Sequence, residues 1–372
     1  MMKTTRRSAL TLLGGASLLA MPYVRRARAD AGVVHIYNWT DYIGETTLED
    51  FEKATGIKPV YDTYDSTEAM EAKMLAGSTG YDAVIQAGST LERFVEAKIY
   101  QPLDKSKLPL MSNLDPDIMK VLEGWDKDNQ YGIPYMWGTT GITYNLDMVN
   151  ERIPNADLNS FDLLFKPEYA AKLADCGISI LDSPGDVVPM VLAYLGKDPN
   201  TTNPDDFKAV VEAFKPVRQY IKTFDNANYL NAIPNKELCY INDWSGDYAT
   251  AKSRAAEAGV DIKLAYRVPQ SGCPTWFDIW CVPNDAPNRD NAFTWINYML
   301  EPEVIAKCTN FTNYANANKA ADKFVDPAVL NDPAVYPDAE LRKRLWTQRT
   351  LSQDLERART RAWSDIKTGS GS

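Results

Sequence analysis

Three short stretches of the chain each place a tryptophan close to an aspartate: Trp39 with Asp41, Trp244 with Asp247, and Trp276 with Asp278. A tryptophan face within about 6 Å of a cation attracts it by ~0.5–2 kcal/mol. The indole also covers methylene groups, and a carboxylate neutralises an ammonium that is very costly to bury alone. The pairs therefore favour binding of a cation with an apolar body, such as a diamine or polyamine. The alternative is ordinary packing, the commonest role of tryptophan.

The residues that common catalytic mechanisms need are sparse. The only histidine is His35, inside a predicted buried strand, so a histidine relay has no second member. The G-x-S-x-G, H-E-x-x-H and G-x-x-x-x-G-K-[ST] motifs are absent, and no C-x-x-C suggests zinc or redox chemistry. A pair of carboxylates can act as general acid and base, but no spacing of acidic residues in the sequence singles out such a pair. The sequence predicts a binding protein rather than an enzyme, with no cofactor and no metal.

The first 31 residues have the features of an export signal. Arg6 and Arg7 precede an apolar stretch over 9–21, and the small residues at 27–31 offer A-x-A cleavage sites. The paired arginines indicate the twin-arginine route to the periplasm. A membrane anchor is the alternative, but the apolar stretch is short for a bilayer and is interrupted by glycine and proline. Residues 369–372 are interpreted as a flexible tail.

The charge of the remaining chain is strongly negative. The whole sequence has 40 basic and 50 acidic side chains, and positions 1–31 hold six of the basic and one of the acidic ones. This leaves 34 against 49 and a net charge of −15. Such a charge disfavours nucleic acid and anionic membranes as partners and favours incoming cations, although solubility alone also explains it.

The order of predicted elements is that of an α/β protein with parallel or mixed sheets flanked by helices. Strands are predicted over 33–37, 58–64, 81–86, 177–181 and 238–242, and helices over 46–55, 65–77, 91–97, 187–195, 206–221, 290–299, 302–309 and 351–367. Asp65 is expected to cap the second helix, and the region from 327 onward is expected to be helical throughout.

The chain is too long for one core, so two lobes are expected. Residues 132–145 and 276–283 are extended and rich in aromatics, and we interpret them as crossings between the lobes. Lobe 1 is predicted to comprise 32–139 plus 269–315, and lobe 2 to comprise 140–268 plus 316–368. The chain is thus predicted to leave each lobe and later return to it, which suggests a hinge between the lobes.

A series of ordered stretches carries a resemblance to a known family. They are HIYNWTDY (35–42), LAGSTGYD (75–82), PLDKSKLP (102–109), PYMWGTTGI (134–142), YLGKDPN (194–200), YANANKAA (314–321) and RTRAW (359–363). On these stretches the chain closely resembles the periplasmic putrescine/spermidine-binding proteins of bacterial ABC importers. The resemblance extends from about Val33 to Lys367 and implies a hinged, two-lobed type II periplasmic binding protein, expected to be a monomer that delivers its ligand to an inner-membrane permease.

The resemblance also implies a ligand-binding set. Its members are Trp39, Thr40, Asp41, Tyr42, Ser89, Asp186, Trp244, Asp247, Trp276, Asp278 and Tyr314. Asp278 and Asp247 are expected to be the principal partners of the ligand ammonium groups. Asp186 and Asp41 are expected to bind the far end of the ligand or to adjust the electrostatic field of the site. The aromatic residues are expected to sandwich the methylene stem, with Thr40 and Ser89 accepting the remaining N–H groups. Cys176 and Cys239, the candidate disulfide, match one in putrescine-type members.

Three positions depart from the family pattern. Ala87 stands where serine is usual, Asp186 is one methylene shorter than the usual glutamate, and Trp276 resembles spermidine-type members, where putrescine-type members have phenylalanine. The remainder of the chain is more similar to putrescine-type members. Putrescine is therefore the expected ligand, with spermidine, agmatine and cadaverine as alternatives.

Other uses of the same fold remain alternatives. An amino-acid ligand calls for an arginine that clamps its carboxylate, and none lies in the tryptophan–aspartate pairs. Ferric ion calls for histidine or paired tyrosines, and His35 is alone; a sugar is a further alternative. A sensor that binds polyamine and signals through a receptor, or an enzyme built on this architecture, would be separated from a transport protein by experiment.

Overall fold

The computed structural model describes residues 32–369, so the predicted export signal lies outside the described range. Within it, eleven strands form one connected sheet. They are β1 (Val33–Trp39), β2 (Lys58–Tyr64), β3 (Ala83–Ala87), β4 (Gly132–Asn145), β5 (Ile178–Ile180), β6 (Thr223–Phe224), β7 (Tyr240–Trp244), β8 (Leu264–Arg267), β9 (Cys273–Cys281), β10 (Ala315–Asn316) and β11 (Leu345–Trp346).

Helices flank this sheet. They are α1 (Thr47–Thr55), α2 (Thr67–Leu75), α3 (Gly88–Glu96), α4 (Pro116–Leu122), α5 (Leu146–Arg152), α6 (Asp162–Phe165), α7 (Pro167–Leu173), α8 (Pro184–Tyr194), α9 (Asp205–Phe214), α10 (Tyr229–Ala232), α11 (Ser245–Glu257), α12 (Arg289–Met299), α13 (Pro302–Thr312), α14 (Pro327–Leu330), α15 (Ala339–Arg342) and α16 (Gln353–Thr368). Short 3₁₀ helices cover Lys105–Lys107, Pro109–Asn113, Lys127–Asn129, Arg218–Tyr220 and Lys319–Phe324. None of the helices within 32–369 is both long and apolar enough to cross a membrane.

The strand order β2-β1-β3-β9-β4-β7-β5-β6 divides the sheet at β4. The first part of β4 pairs with β9, and its second part pairs with β7 and β8. We use lobe 1 for the part built on β1, β2, β3, β9 and the start of β4, and lobe 2 for the part built on β5 to β8 and the end of β4. The extended conformation predicted for 132–145 is confirmed, and the sheet is mixed because β9 is antiparallel to both neighbours.

Each lobe buries apolar side chains beneath its helices. In lobe 1, Ile36 and Ile85 of the central strands pack with Trp280 and with Trp295 of α12. A larger cluster fills lobe 2 and continues onto the second face of the lobe 1 sheet. The central strands of the sheet are buried on both faces, and for this reason they appear as apolar runs in the sequence.

The predicted disulfide is present. Cys176 lies two residues before β5 and Cys239 directly before β7, and their Cα atoms are 5.5 Å apart. Cys273, Cys281 and Cys308 are buried and have free thiols. The bond joins chain segments 63 residues apart in sequence and ties the start of two neighbouring strands of lobe 2.

Three predicted elements are corrected. Ser66, not Asp65, caps α2, since its hydroxyl accepts the backbone N–H of Ala69 at 3.2 Å. The helix predicted over 206–221 ends at Phe214, and only a 3₁₀ turn follows. The region from 327 to 351 holds two one-turn helices rather than a continuous one, because Pro333 and Pro337 interrupt the backbone hydrogen bonding.

The C-terminal region contacts both lobes. The 3₁₀ helix Lys319–Phe324 packs on α13, and Asn310 donates to the Phe324 carbonyl at 3.3 Å. Asn318 likewise donates to the Leu300 carbonyl at 2.8 Å. This segment therefore lies on lobe 1, although the predicted division assigns 316–368 to lobe 2. In contrast, α16 packs on α8 and α9 of lobe 2.

Candidate functional site

A cavity of about 200 Å³ lies where the two lobes meet. All eleven residues predicted to bind ligand line it. Several come from strand ends: Trp39 ends β1, Ser89 follows β3, and Trp244 ends β7. Asp278 lies within β9, where its backbone pairs with Ala87 of β3. Strand ends that face a crevice are the usual ligand position in open α/β sheets.

Asp278 is buried in lobe 1, with 6% of its surface exposed. Burial, with a contribution from the negative charge of Asp186, raises the pKa of its carboxyl to about 7, and the nearby polar groups of Tyr42 and Trp39 oppose that rise. The group is therefore poised between its neutral and ionised forms. An ammonium group placed against it would favour the ionised form.

Asp247 lies in the first turn of α11 in lobe 2 and is held by two tyrosines. The Tyr314 hydroxyl donates to Oδ1 at 2.7 Å, and the Tyr229 hydroxyl donates to Oδ2. Burial raises the pKa of Asp247 to about 6, while the two tyrosine hydroxyls and the Arg254 charge oppose that rise. Because Tyr314 belongs to lobe 1, this carboxylate joins the two lobes.

Asp186 is held by hydroxyl groups of lobe 2. The Thr140 hydroxyl donates to Oδ1 at 2.8 Å and the Ser183 hydroxyl to Oδ2 at 2.6 Å. Burial raises its pKa, and the Ser183, Thr140 and Trp244 hydrogen bonds and the charge of Arg359 lower it. The Asp186 side chain, which is one methylene shorter than glutamate, is thus anchored by its own lobe and faces the cavity.

Aromatic rings form the walls between these carboxylates. Trp39 and Trp244 face each other across the lobes with ring centroids 6.4 Å apart. The Tyr314 ring lies edge-on to Trp276 at 5.5 Å and to Tyr42 at 5.2 Å. The walls therefore contain members from both lobes, as an enclosing site for an apolar stem requires.

Two glycines make this aromatic packing possible. A Cβ on Gly138 would lie 2.6 Å from the Trp276 ring, and a Cβ on Gly246 would lie 2.5 Å from the Tyr314 ring. Real Cβ atoms do not approach other heavy atoms this closely. Gly138 lies in β4 beside Trp276 of β9, and Gly246 is the second residue of α11 and lies against Tyr314.

Thr40, Asp41 and Ser89 occupy the rim. The Thr40 hydroxyl donates to the Tyr64 carbonyl at 3.2 Å, so its own hydrogen is engaged within lobe 1. Asp41 is exposed, with φ at 55°, and its carboxylate lies 3.5 Å from the Arg254 guanidinium of lobe 2. The Ser89 carbonyl accepts the Thr350 hydroxyl at 2.9 Å, leaving the Ser89 side chain at the cavity.

Four residues at or behind the cavity are not among the predicted ones. Tyr229 bonds Asp247 from outside the lining, and three arginines line the cavity, each beside a carboxylate: Arg93 with Glu71, Arg254 with Asp41, and Arg359 with Glu356. The RTRAW stretch at 359–363 was available as a signal for Arg359. Tyr229 gave no signal, since nothing in its local sequence points to a carboxylate 18 residues away.

The cavity is acidic overall. Eight acidic side chains and three arginines line it. Glu68 is one of these acids, and burial and the neighbouring Glu71 charge raise its pKa, opposed by Arg359. Within 32–369 no group of histidine, cysteine and acidic residues has the arrangement needed to hold a metal ion.

Comparison with known proteins gives consistent results. Residues 46–337 match the family model of bacterial extracellular solute-binding proteins. The chain is 44% identical over 362 residues to the putrescine-binding periplasmic protein SpuD of Pseudomonas aeruginosa, covering 97% of each chain. It is 44% identical over 343 residues to the putrescine-binding periplasmic protein PotF of Escherichia coli, covering 92% of this chain and 93% of that one.

Solved structures show the same similarity. The spermidine/putrescine ABC transporter substrate-binding protein PotD of Streptococcus pneumoniae superposes with a TM-score of 0.74 at 28% identity. That superposition covers 91% of this chain and 99% of the other.

Proposed function

The chain belongs to the bacterial extracellular solute-binding proteins, and we propose that it captures a polyamine, putrescine in the first place, in the cleft between its lobes and delivers it to an ABC-type permease. Its relatives named above are putrescine-binding periplasmic proteins. The predicted twin-arginine route of export, the monomeric state and the absence of catalysis are parts of the same proposal.

One observation carries this proposal: the buried carboxylates of Asp278 and Asp247, the partly buried carboxylate of Asp186 and three tryptophans share a single cavity. Asp278, Asp247 and Asp186 all have raised pKa values because of burial. Buried carboxylates of this kind are unfavourable unless a cation neutralises them. A diamine supplies an ammonium group at each end and an apolar stem for the rings between.

The remaining charges also favour a cation over an amino acid. An amino-acid ligand would need an arginine free to clamp its carboxylate. The arginines that line the cavity within 32–369 are Arg93, Arg254 and Arg359, and each already has a carboxylate partner. The excess of acids in the lining therefore faces the ligand.

The proposed binding mode uses both lobes. Asp278, Trp39, Tyr42 and Trp276 would hold the ligand from lobe 1, and Asp247, Asp186 and Trp244 from lobe 2. A ligand that contacts both lobes has more contacts in the closed arrangement and so shifts the population toward it. The lobe boundaries around residues 139 and 269 are part of this hinge proposal.

Thermal-shift titration of the mature protein tests the function. A ligand that binds only the folded protein raises its melting temperature by mass action. We expect a rise with putrescine, and the series cadaverine, agmatine, spermidine and spermine ranks the alternatives. Butane-1,4-diol is the matched control, since it has the same methylene stem without ammonium groups, and it should have no effect. If none of the amines raises the melting temperature, the proposed function is wrong.

The alternative of a polyamine sensor uses the same site. Binding measurements do not separate it from transport, because both need capture of the amine. Capture of the permease by the ligand-loaded protein from solubilised membranes supports transport. Capture of a signalling receptor in its place would support the sensor.

A further inference from the structure

Tyr229 is a buried residue with a direct bond to the cavity's Asp247. It is the first residue of α10 and is 1% exposed. Its hydroxyl donates to Oδ2 of Asp247, but the residue does not line the cavity. It therefore contacts a cavity carboxylate from behind, on the side away from the proposed ligand.

The two tyrosines on Asp247 differ in the lobe that supplies them. Tyr314 precedes β10, which pairs with the start of β4 in lobe 1, so its bond to Oδ1 crosses between lobes. Tyr229 and Asp247 both belong to lobe 2. The Tyr229 bond is therefore independent of lobe closure, whereas the Tyr314 bond requires it.

Two other tyrosines of lobe 2 are fully buried without a carboxylate partner in the described part of the chain. Tyr240 of β7 is fully buried, and its hydroxyl has no hydrogen-bond partner within 32–369; the same holds for Tyr144 of β4. Packing of a tyrosine in this lobe thus does not by itself demand a carboxylate acceptor. The Tyr229 hydroxyl is directed at Asp247 specifically.

We propose that Tyr229 is a positioning residue for ligand binding: its hydroxyl keeps the Asp247 carboxylate ionised and oriented toward the cavity before the lobes close. This inference rests on the proposed function. A phenol that donates to a carboxylate favours the ionised form, and it also fixes the rotation of the carboxyl group. Only an ionised Asp247 neutralises a ligand ammonium.

The other charged or titratable groups that act on Asp247 come from several elements. Arg254 of α11 favours the ionised form, and Asp41 beyond β1 opposes it. Asp243 of β7 is fully buried near Asp247, and burial raises its own pKa. Tyr314 donates to the second oxygen. Tyr229 is thus one of two hydroxyl donors that offset the burial of this carboxylate.

The test compares Tyr229→Phe with the matched control Tyr240→Phe by calorimetry with putrescine between pH 5.5 and 8.5. Loss of a hydrogen bond to a charged group is expected to weaken binding about tenfold or more near pH 7. Because the pKa of Asp247 rises in Tyr229→Phe, the loss should be larger at pH 6 than at pH 8.5. Tyr240→Phe should keep wild-type affinity. Unchanged affinity, or an equal loss at every pH, would overturn the positioning role.

A second measurement does not depend on the ligand. Carboxyl ¹³C NMR of the ligand-free protein should show the Asp247 titration midpoint displaced to higher pH in Tyr229→Phe and unchanged in Tyr240→Phe. An unchanged midpoint in Tyr229→Phe would overturn the inference. Failure of the wild type to bind any amine would contradict the proposed function, and this titration would still decide the role of Tyr229.

Discussion

The Arg254 guanidinium lies 3.5 Å from the carboxylate of Asp41 and so connects helix α11 of lobe 2 with the end of β1 in lobe 1. The two side chains are 36% and 69% exposed, so solvent screens their attraction. The pair lies at the rim of the cavity, and opening of the lobes would separate it. We therefore expect this ion pair to lengthen the lifetime of the closed form.

Arg254→Gln should therefore accelerate ligand release with little change in association. Exposed pairs contribute ~0.2–1 kcal/mol, so a change in dissociation rate of up to about fivefold is expected. Stopped-flow dissociation measured for Arg254→Gln, Asp41→Asn and the double variant checks this. If the two single changes are fully additive, the ion pair does not act as a latch.

Asp278→Asn should weaken putrescine binding by several kcal/mol. The amide keeps the shape of the side chain but leaves the ligand ammonium buried without a negative partner. Calorimetry on the variant gives the affinity, and Asp261→Asn, an exposed position outside the cavity, is the matched control. Near-native affinity in Asp278→Asn would remove this residue from the site.

Trp276→Phe should change the preference between putrescine and spermidine. The indole packs against Tyr314 and over Gly138, so the smaller phenyl ring would alter the wall along the ligand stem. We expect the ratio of the two affinities to shift toward the shorter diamine. Competition titrations measure the ratio directly, and an unchanged ratio would refute the specificity role of this tryptophan.

Gly246→Ala should weaken binding without lowering the stability of lobe 2. Alanine is the better helix former by ~1 kcal/mol, but its Cβ would lie 2.5 Å from the Tyr314 ring. Overpacking of this kind costs about 1–3 kcal/mol, and here it opposes the seating of Tyr314 on α11. Affinity and melting temperature are compared with those of Ser253→Ala, on the exposed face of the same helix. Native affinity would show that Tyr314 is free to move.

Putrescine affinity should fall as the pH falls through 7 and 6. Asp278 and Asp247 have pKa values of about 7 and about 6 because they are buried, and the ligand requires both ionised. Binding near pH 6.5 should therefore release protons. Calorimetry in buffers of different ionisation enthalpy measures that release, and an apparent enthalpy independent of buffer would contradict the prediction.

The same raised pKa has the opposite effect on the ligand-free protein. The unfolded carboxyl titrates near ~4, so the folded state binds the Asp278 proton more tightly. The stability from this group is fully present below the unfolded pKa and is lost as the pH rises through about 7. Asp278→Asn should lack this loss of stability, so its melting temperature relative to that of the wild type should rise between pH 5 and pH 8. If the melting temperatures of the two proteins change in parallel with pH, this prediction is wrong.

Local patterns predicted the fold well where one segment decides its own structure. The strand β2 and the ends of β4 follow from residue type and spacing, and the three tryptophan–aspartate pairs do converge on one cavity. The capping of α2 was missed because Asp65 and Ser66 are both good caps, and only the backbone geometry distinguishes them. The position of 319–324 depends on packing against α13, which no local pattern encodes.

The sequence predicted eleven residues that line the cavity, but not the hydrogen-bond and ion-pair partners that hold them. Tyr229 and two of the paired arginines act through partners that are more distant in sequence, such as Asp247 for Tyr229 and Asp41 for Arg254. Their roles depend on which charges the fold brings together. The Thr40 hydroxyl donates its hydrogen to the Tyr64 carbonyl, which leaves its oxygen lone pairs for the N–H groups that it is predicted to accept.

The central place of β9 in the sheet affects how the protein is made. This strand lies between β3 and β4, yet it spans Cys273–Cys281 in a chain of 372 residues. The ribosome must therefore synthesise about three quarters of the chain before the first lobe has its middle strand. Until then β3 presents an unpaired edge, which is the kind of surface that aggregates. Folding of lobe 1 must follow synthesis of most of lobe 2, and truncated chains ending before residue 273 should need a chaperone to stay soluble.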